Sequence, residues 1–449
     1  MTAAAALSNW HRSDDVSFWL FAAFLLALFA LGGSGSDAAA TQLILRPLSV
    51  LFLGAALSRI SPGTLRPYAV PLGIVCATIV LALFQTIPLP PAMWSALPVR
   101  DVLLPGLQIL GIDGVWRPLT LSPPRTWNSI YAFLTPITAI LLYARLPRRH
   151  FERLLMLILG FAVLNSLVML AQLLGPPGAF RLFGGEAVRS VSGLFANRNH
   201  AAVFLGTVMP VIAALHVCRS AAPTRAAESM VYAVAALFLF TMIVASGSRI
   251  GLLAALIGVI ASAMILSSDR EMGGWRRRII GPVAIVSAAL IAALIYLFTA
   301  QTAAFDRLFA SDAIDDTRFA ILPISWDMAK ALFPYGGGFG AYADIYRMFE
   351  PEALLGPRSM NNAHLDPLEY VIEGGLAALL ILAVGAAWWL RRLAGAMTAG
   401  GGVHLRLGLS VSAILAVASL TTFPLRTPIV GVLFVLALCW MADRSGRRL

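Results

Sequence analysis

Charge is what this sequence has least of. Only 12% of its 449 residues are Asp, Glu, Lys or Arg, about half the share of a soluble globular domain. That scarcity excludes a chain whose whole surface is solvated. Lysine is almost missing: Lys330 stands alone against 32 arginines, and the net charge is +11. In a soluble protein this balance would indicate nucleic acid. With 59% hydrophobic residues it indicates instead the arginine-rich inner loops of a membrane protein, and no nucleic-acid partner is expected. Cysteine is scarce as well. Cys76, Cys218 and Cys439 lie in or beside separate apolar runs without CxxC spacing, a pattern for small buried residues rather than a disulfide framework or metal cluster. The six histidines contain no HxxxH or HExxH pair, so no metal and no cofactor are assigned.

Apolar length is what the sequence has in abundance. Runs near 20 residues long can each cross a ~30 Å hydrocarbon core as a helix. Twelve are expected, at 17–33, 42–58, 69–87, 128–144, 154–174, 200–217, 230–246, 249–267, 279–299, 368–390, 406–422 and 427–442. The fold class is therefore all-α: a polytopic integral membrane protein with about 12 transmembrane helices, read as one membrane domain over 1–449. The first run follows the polar head "SNWHRSDD" without a small-residue cleavage pattern and reads as a signal anchor. Arginine clusters orient the chain, because positive charge is retained on the cytoplasmic side. "ARLPRRHFER" (144–153), "DREMGGWRRR" (269–278), Arg391–Arg392 and "DRSGRR" (443–448) fall on one side when both termini are cytoplasmic.

That orientation leaves three long outer connections: 88–127, 175–199 and the large loop 300–367 before helix 10. Inside the last, "DDTRFAILPISWDMAKALF" shows helical spacing with Pro323 as a kink, "PYGGGFGAY" (334–342) reads as a flexible break, and "YADIYRMF" as a short helix. Trp94, Trp116, Trp127 and Trp326 are placed either to stack on sugar rings or to anchor at the interface.

Several arginines lie on the outer side, close to apolar runs. Arg249, in "IVASGSRIGLLAALIGV", opens a helix after a Ser-Gly-Ser break; Arg198 has a similar entry position, Arg189 precedes it, and Arg318 opens the amphipathic part of the large loop. Such side chains either snorkel at the interface or hold an anion. For Arg249 the helix start, with free N–H groups and the helix dipole, favours the anion, and guanidinium grips phosphate oxygens bidentately. The anion expected at this depth is a lipid phosphate or diphosphate. His364, in "NNAHLDPLEYVIEGGLAALLILAVGAAWWL" (361–390), stands four residues before an apolar run. It is either a solvated loop residue or a general base, being the side chain best tuned to accept a proton near neutrality. Asp366 and Glu369 are placed to orient it, Glu373 follows one helical turn later, and "EGG" (373–375) lets a neighbouring helix or lipid chain approach.

Three blocks, "VRSVSGLFANRNHAAVFLG" (188–206), "ASGSRIGLLAALIGV" (245–259) and "DTRFAILPISWDMAKALFPYGGGFGAY…NNAHLDPLEYVIEGGLAALLIL" (316–382), resemble the O-antigen ligase-related membrane proteins over roughly residues 155–425. That family contains O-antigen ligases and O-antigen or exopolysaccharide polymerases. The resemblance implies transfer of a glycan from an undecaprenyl-diphosphate-linked donor to an acceptor hydroxyl, on another glycan or on the lipid A core. The reaction would lie at the periplasmic face of the bacterial inner membrane, as a metal-independent glycosyltransferase step. It further implies that Arg249, Arg318 and, more weakly, Arg189 bind the diphosphate and that His364 is the base, with Asp366 and Glu373 supporting. Leu365 and Pro367 stand where the family often carries Asn and an aromatic, which leaves imidazole orientation to Asp366. The rival class is a polytopic transporter or flippase for a lipid-linked glycan. Ionisable residues gather at one surface rather than at mid-span, which weighs against a coupled carrier.

Overall fold

The structure, a computed structural model, describes residues 3–34, 39–58, 60–183, 190–219, 225–267, 313–355, 360–398 and 401–443. It is almost wholly helical. The main helices are α1 (Ala3–Leu31), α2 (Ala39–Leu57), α3 (Ala69–Gln85), α4 (Pro123–Ala144), α5 (Phe151–Leu174), α6 (Arg198–Cys218), α7 (Arg225–Ala245), α8 (Arg249–Leu266), α9 (Ala313–Leu332), α10 (Tyr342–Phe349), α11 (Asp366–Thr398), α12 (Val403–Ala418) and α13 (Pro428–Ala442). Only a helix satisfies its backbone within one apolar segment, which is why these runs take this form. Among the described residues eight helices are long and apolar enough to cross a membrane, and three shorter apolar ones accompany them, Asp15–Leu31, Val403–Ala418 and Pro428–Ala442. The expected run 279–299 lies outside the described residues; the other eleven coincide with helices.

Two helices form the centre. α6 is buried continuously from His200 to Leu215, and α13 from Ile429 to Ala442 with the exceptions of Gly431 and Phe434. α8 packs closest to α6 because small residues face each other: a Cβ on Gly206 would strike Ala254, and one on Gly258 would strike the Gly206 carbonyl. Close backbone approach of this kind is the usual basis of tight helix pairing in a bilayer.

Helix ends sort into two groups. At one end, Ala196 N donates to Gly33 O and Ile429 N to Gly32 O, joining the end of α1 to the starts of α6 and α13. The end of α3, the starts of α4 and α11 and the end of α12 meet there too, through Thr120 N to Gln85 O and Asp366 N to Ser419 O. At the opposite end Asp443 accepts from Tyr68 Oη and Tyr143 Oη, both at 2.7 Å, and pairs with His404 Nδ1 at 2.9 Å. Arg145 donates to Ala55 O and Arg392 to Met441 O on that same side.

The glycine-rich stretch departs from expectation. "PYGGGFGAY" is no flexible break. α11 is interrupted at Gly375 (φ 60°, ψ −145°), and the break strands carbonyls at Ile372 and Glu373 and the N–H of Leu376. The glycine stretch satisfies all three: Gly337 N donates to Ile372 O and Gly338 N to Glu373 O, both at 2.9 Å, and Leu376 N donates to Pro334 O at 2.8 Å. Gln85 adds a clamp, its Nε2 donating to Glu373 O while its Oε1 accepts from Phe339 N. Gly336 (φ 77°) leaves no room for a Cβ beside Glu373 O. The segment that approaches "EGG" is therefore neither a lipid chain nor a helix, but this loop of the same chain. The helix α9 with Pro323 inside it and the short helix α10 match the expectation.

Candidate functional site: a carboxylate face and its arginine

Asp366, Glu369 and Glu373 recur every three or four residues and so share one face of α11. Glu369 and Glu373 are fully buried. Burial of carboxylates beside hydrocarbon demands partners, and the partner is Arg426, in the short turn Pro424–Arg426 that precedes α13. Its Nη2 lies 2.8 Å from Glu369 Oε1 and 3.1 Å from Glu373 Oε2. Burial acts to lower the pKa of Arg426, but Glu369, Glu373 and Asp366 outweigh it and raise the pKa above its usual value. About a third of the guanidinium side chain remains exposed.

Each carboxylate also holds a piece of backbone. Glu369 Oε2 accepts from Ala363 N at 2.8 Å, immediately before His364. Glu373 Oε1 accepts from Tyr342 N at 3.4 Å, at the start of α10. Asp366 Oδ2 accepts from Ser419 Oγ at 2.9 Å and from Leu425 N at 3.4 Å, tying α11 to the end of α12 and to the arginine turn. These contacts add two particulars to the sequence expectation. Glu369 acts on the backbone beside His364 while it binds Arg426, and Glu373 supports Arg426 and α10.

His364 is half-buried and has φ 55°, the left-handed region that a non-glycine residue enters at a cost on the order of 1 kcal/mol or more. Its ring stands edge-on to Phe423, with centroids 4.9 Å apart. Phe423 meets a second imidazole on the α6 side, His200, at 5.0 Å. His200 is buried, with Nδ1 2.8 Å from Thr427 Oγ1.

Arg249 opens α8 as expected, with Ser248 as cap accepting from Gly251 N. The Arg249 side chain is exposed. Ser248 Oγ donates to Asn199 Oδ1 at 2.8 Å, in the first turn of α6. The contact series Ser248, Asn199, His200, Phe423, His364 thus gathers the starts of α6, α8 and α11 at one end of the molecule. Arg198 sits at the first position of α6, half-buried, behind the cap Asn197. Arg318 falls on α9, where its side chain lies outside the described residues, and Arg189 lies outside them altogether. Trp94 is removed from any sugar-stacking role: it is buried, donates to Pro118 O, and is flanked by the guanidinium groups of Arg100 and Arg117. Trp116, Trp127 and Trp326 are exposed. Among the described residues no group of His, Cys, Asp or Glu has the geometry to hold a metal ion.

Arg426 escaped the sequence reading because "TTFPLRTP" resembles an ordinary loop between two spans. Its signal was present: three carboxylates on one helical face need a cation, and no basic residue precedes them at helical spacing. Arg46 was passed over too; it lies inside α2 and donates to Asn128 Oδ1 of α4 at 2.5 Å.

Residues 234–383 match the family described as O-antigen ligase. No curated protein matches the chain significantly. The matched segment runs from α7 into α11 and includes Arg249, Arg318, His364 and the three carboxylates, while Arg189, Arg198 and Arg426 lie outside it. The match supports a glycan-transfer function in polysaccharide biosynthesis, carried by a glycosyltransferase-like enzyme that uses a lipid-linked donor and a glycan acceptor. With its membrane-crossing helices, the chain is a multi-pass membrane protein, and the matched third of it supports a relation to the O-antigen ligase family.

Proposed function

We propose that this protein transfers a glycan from undecaprenyl diphosphate to an acceptor hydroxyl at the periplasmic face of the inner membrane, both termini being cytoplasmic. The acceptor is a sugar hydroxyl of another lipid-linked glycan or of the lipid A core. The observation that carries the reading is the matched segment itself, in which an exposed arginine at a helix start and a strained histidine stand at the same end of the molecule. Arg249, with Arg318 and Arg189, holds the diphosphate. Guanidinium groups placed in advance stabilise the negative charge that develops as the leaving group departs. The acceptor oxygen attacks C1 of the donor sugar, the C1–O bond to diphosphate breaks, and undecaprenyl diphosphate leaves with the bonding pair. His364 takes the acceptor proton, a contribution of roughly 10²–10⁴-fold in rate. Asp366 and Glu373 act at one remove: Asp366 fixes the start of α11, and Glu373 holds Arg426.

Proteoliposomes loaded with a diphosphate-linked glycan and an acceptor test the reading. Arg249→Ala and His364→Ala are expected to lose transfer while the protein still inserts and purifies. Undiminished transfer by both variants would overturn the assignment. Movement of the donor across the bilayer without bond formation would favour the flippase instead. A deletion strain that loses polymer length identifies a polymerase; one that loses attachment identifies a ligase.

A further inference from the structure

The connection between α3 and α4 is pinned at its root and apolar at its tip. The two-residue strands β1 (Pro88–Leu89) and β2 (Arg117–Pro118) pair antiparallel directly after α3, and Thr120 N donates to Gln85 O at 3.0 Å. Arg100 is buried and donates to the carbonyls of Pro98 and Leu119. The tip, residues 102–116, has the opposite character. Every residue from 108 to 116 is exposed. Val102, Ile109, Leu110, Ile112, Val115 and Trp116 are all exposed large hydrophobic side chains, Ile109 at 87%. Asp113 is the one charged residue in the tip. Exposed apolar surface concentrated in this way marks an interaction site.

Geometry indicates what covers it. Arg117 Nη2 donates to Ile112 O at 3.0 Å, folding the tip back onto β2. The tip therefore stays within a side chain's length of the strand pair and of the end of α3. Val80, Leu83 and Phe84, exposed side chains at that end of α3, belong to a helix long and apolar enough to cross a membrane, and exposed Ile87 follows just beyond it. Met93, between them and the tip in the chain, is exposed as well.

We propose that residues 102–116 seat in the lipid leaflet at this end of the molecule, at the boundary of acyl chains and headgroups, with Trp116 at the polar edge. The segment is then a membrane-seated brace for α3 and α4. This inference is independent of the transfer reaction.

Ile109→Cys in a full-length background lacking Cys76, Cys218 and Cys439, labelled with a polarity-sensitive fluorophore and reconstituted in phosphatidylcholine vesicles, tests it. Glu352→Cys, exposed on the α10–α11 connection, serves as the aqueous reference. Nitroxide-bearing lipids are expected to quench the label at 109 several-fold more than aqueous iodide does, with the reverse at 352. Equal access of iodide at both positions would overturn the proposal. Shielding of position 109 from both quenchers would overturn it too, in favour of a second copy or another protein surface. The unmodified protein gives an independent reading: a bilayer-dissolved hydrophobic diazirine should label the peptide covering 102–116 as strongly as the spans. Labelling confined to the spans would sink the proposal even if the cysteine variants failed to insert.

Discussion

The two ends of the helix bundle handle buried carboxylates in opposite ways. At the Asp443 end one carboxylate is saturated, taking hydrogen bonds from Tyr68 and Tyr143 and pairing with His404. Burial would raise the pKa of Asp443, but those donors prevail and lower it. At the Arg426 end two carboxylates share one guanidinium while a third, Asp366, accepts from the backbone of the same turn, next to a histidine held in a left-handed backbone conformation. The first arrangement joins α3, α4, α12 and α13 and leaves nothing over. The second concentrates charge and strain where the matched segment carries its histidine, which is where proteins accept such costs for chemistry.

The largest expected effect breaks this contrast directly. Arg426→Ala leaves Glu369 and Glu373 buried without their cation, a loss of about 3–5 kcal/mol. It also loosens the Ala363–His364 backbone through Glu369, so both the melting temperature in detergent and transfer in proteoliposomes should collapse. Arg426→Lys should recover much of the stability and less of the transfer, because an ammonium restores the charge without the planar guanidinium's fixed donor geometry. Next in size is Gly336→Ala. Its φ of 77° and the nearby Glu373 carbonyl leave no space, so the loop must withdraw from the break in α11; a lowered melting temperature together with lost transfer is expected. Gly54→Ala is the control, since no atom lies within 4 Å of a Cβ there and a helix tolerates alanine better than glycine.

At the other end Asp443→Ala should lower stability by about 1–3 kcal/mol, the cost of stranding buried donors, while transfer per folded molecule stays near wild type. Loss of transfer without loss of stability would erase the distinction between the two ends. The smallest effect is the pH dependence of that same group. Its folded pKa is depressed below the unfolded value of about 3.9, so its contribution is complete above that value and fades as pH falls through the folded pKa. Melting curves from neutral pH to below pH 4 should therefore show a loss in the wild type that is smaller in Asp443→Asn.

Most helices were legible in the sequence because the bilayer permits few alternatives: an apolar run of sufficient length has one way to satisfy its backbone. The start of α8 at Arg249 was legible from the Ser-Gly-Ser break before it, and α10 was expected as a short helix at "YADIYRMF". The state of "PYGGGFGAY" was not. Glycines read locally as freedom, whereas here they are needed because another backbone occupies the space where side chains would be. The burial of Trp94 was likewise hidden, since its enclosing guanidinium groups come from Arg100 and Arg117.

By itself, then, the sequence determined a multi-pass helical protein, the positions of most of its apolar helices, and the alignment of Asp366, Glu369 and Glu373 on one helical face, because periodicity and transfer energy act over neighbouring residues. Only the tertiary structure decided that Arg426 answers those carboxylates, that Phe423 stands between His364 and His200, and that a glycine loop fills the break at Gly375. Those partners lie tens to hundreds of residues apart in the chain, and nothing local to either side of such a contact encodes its distance.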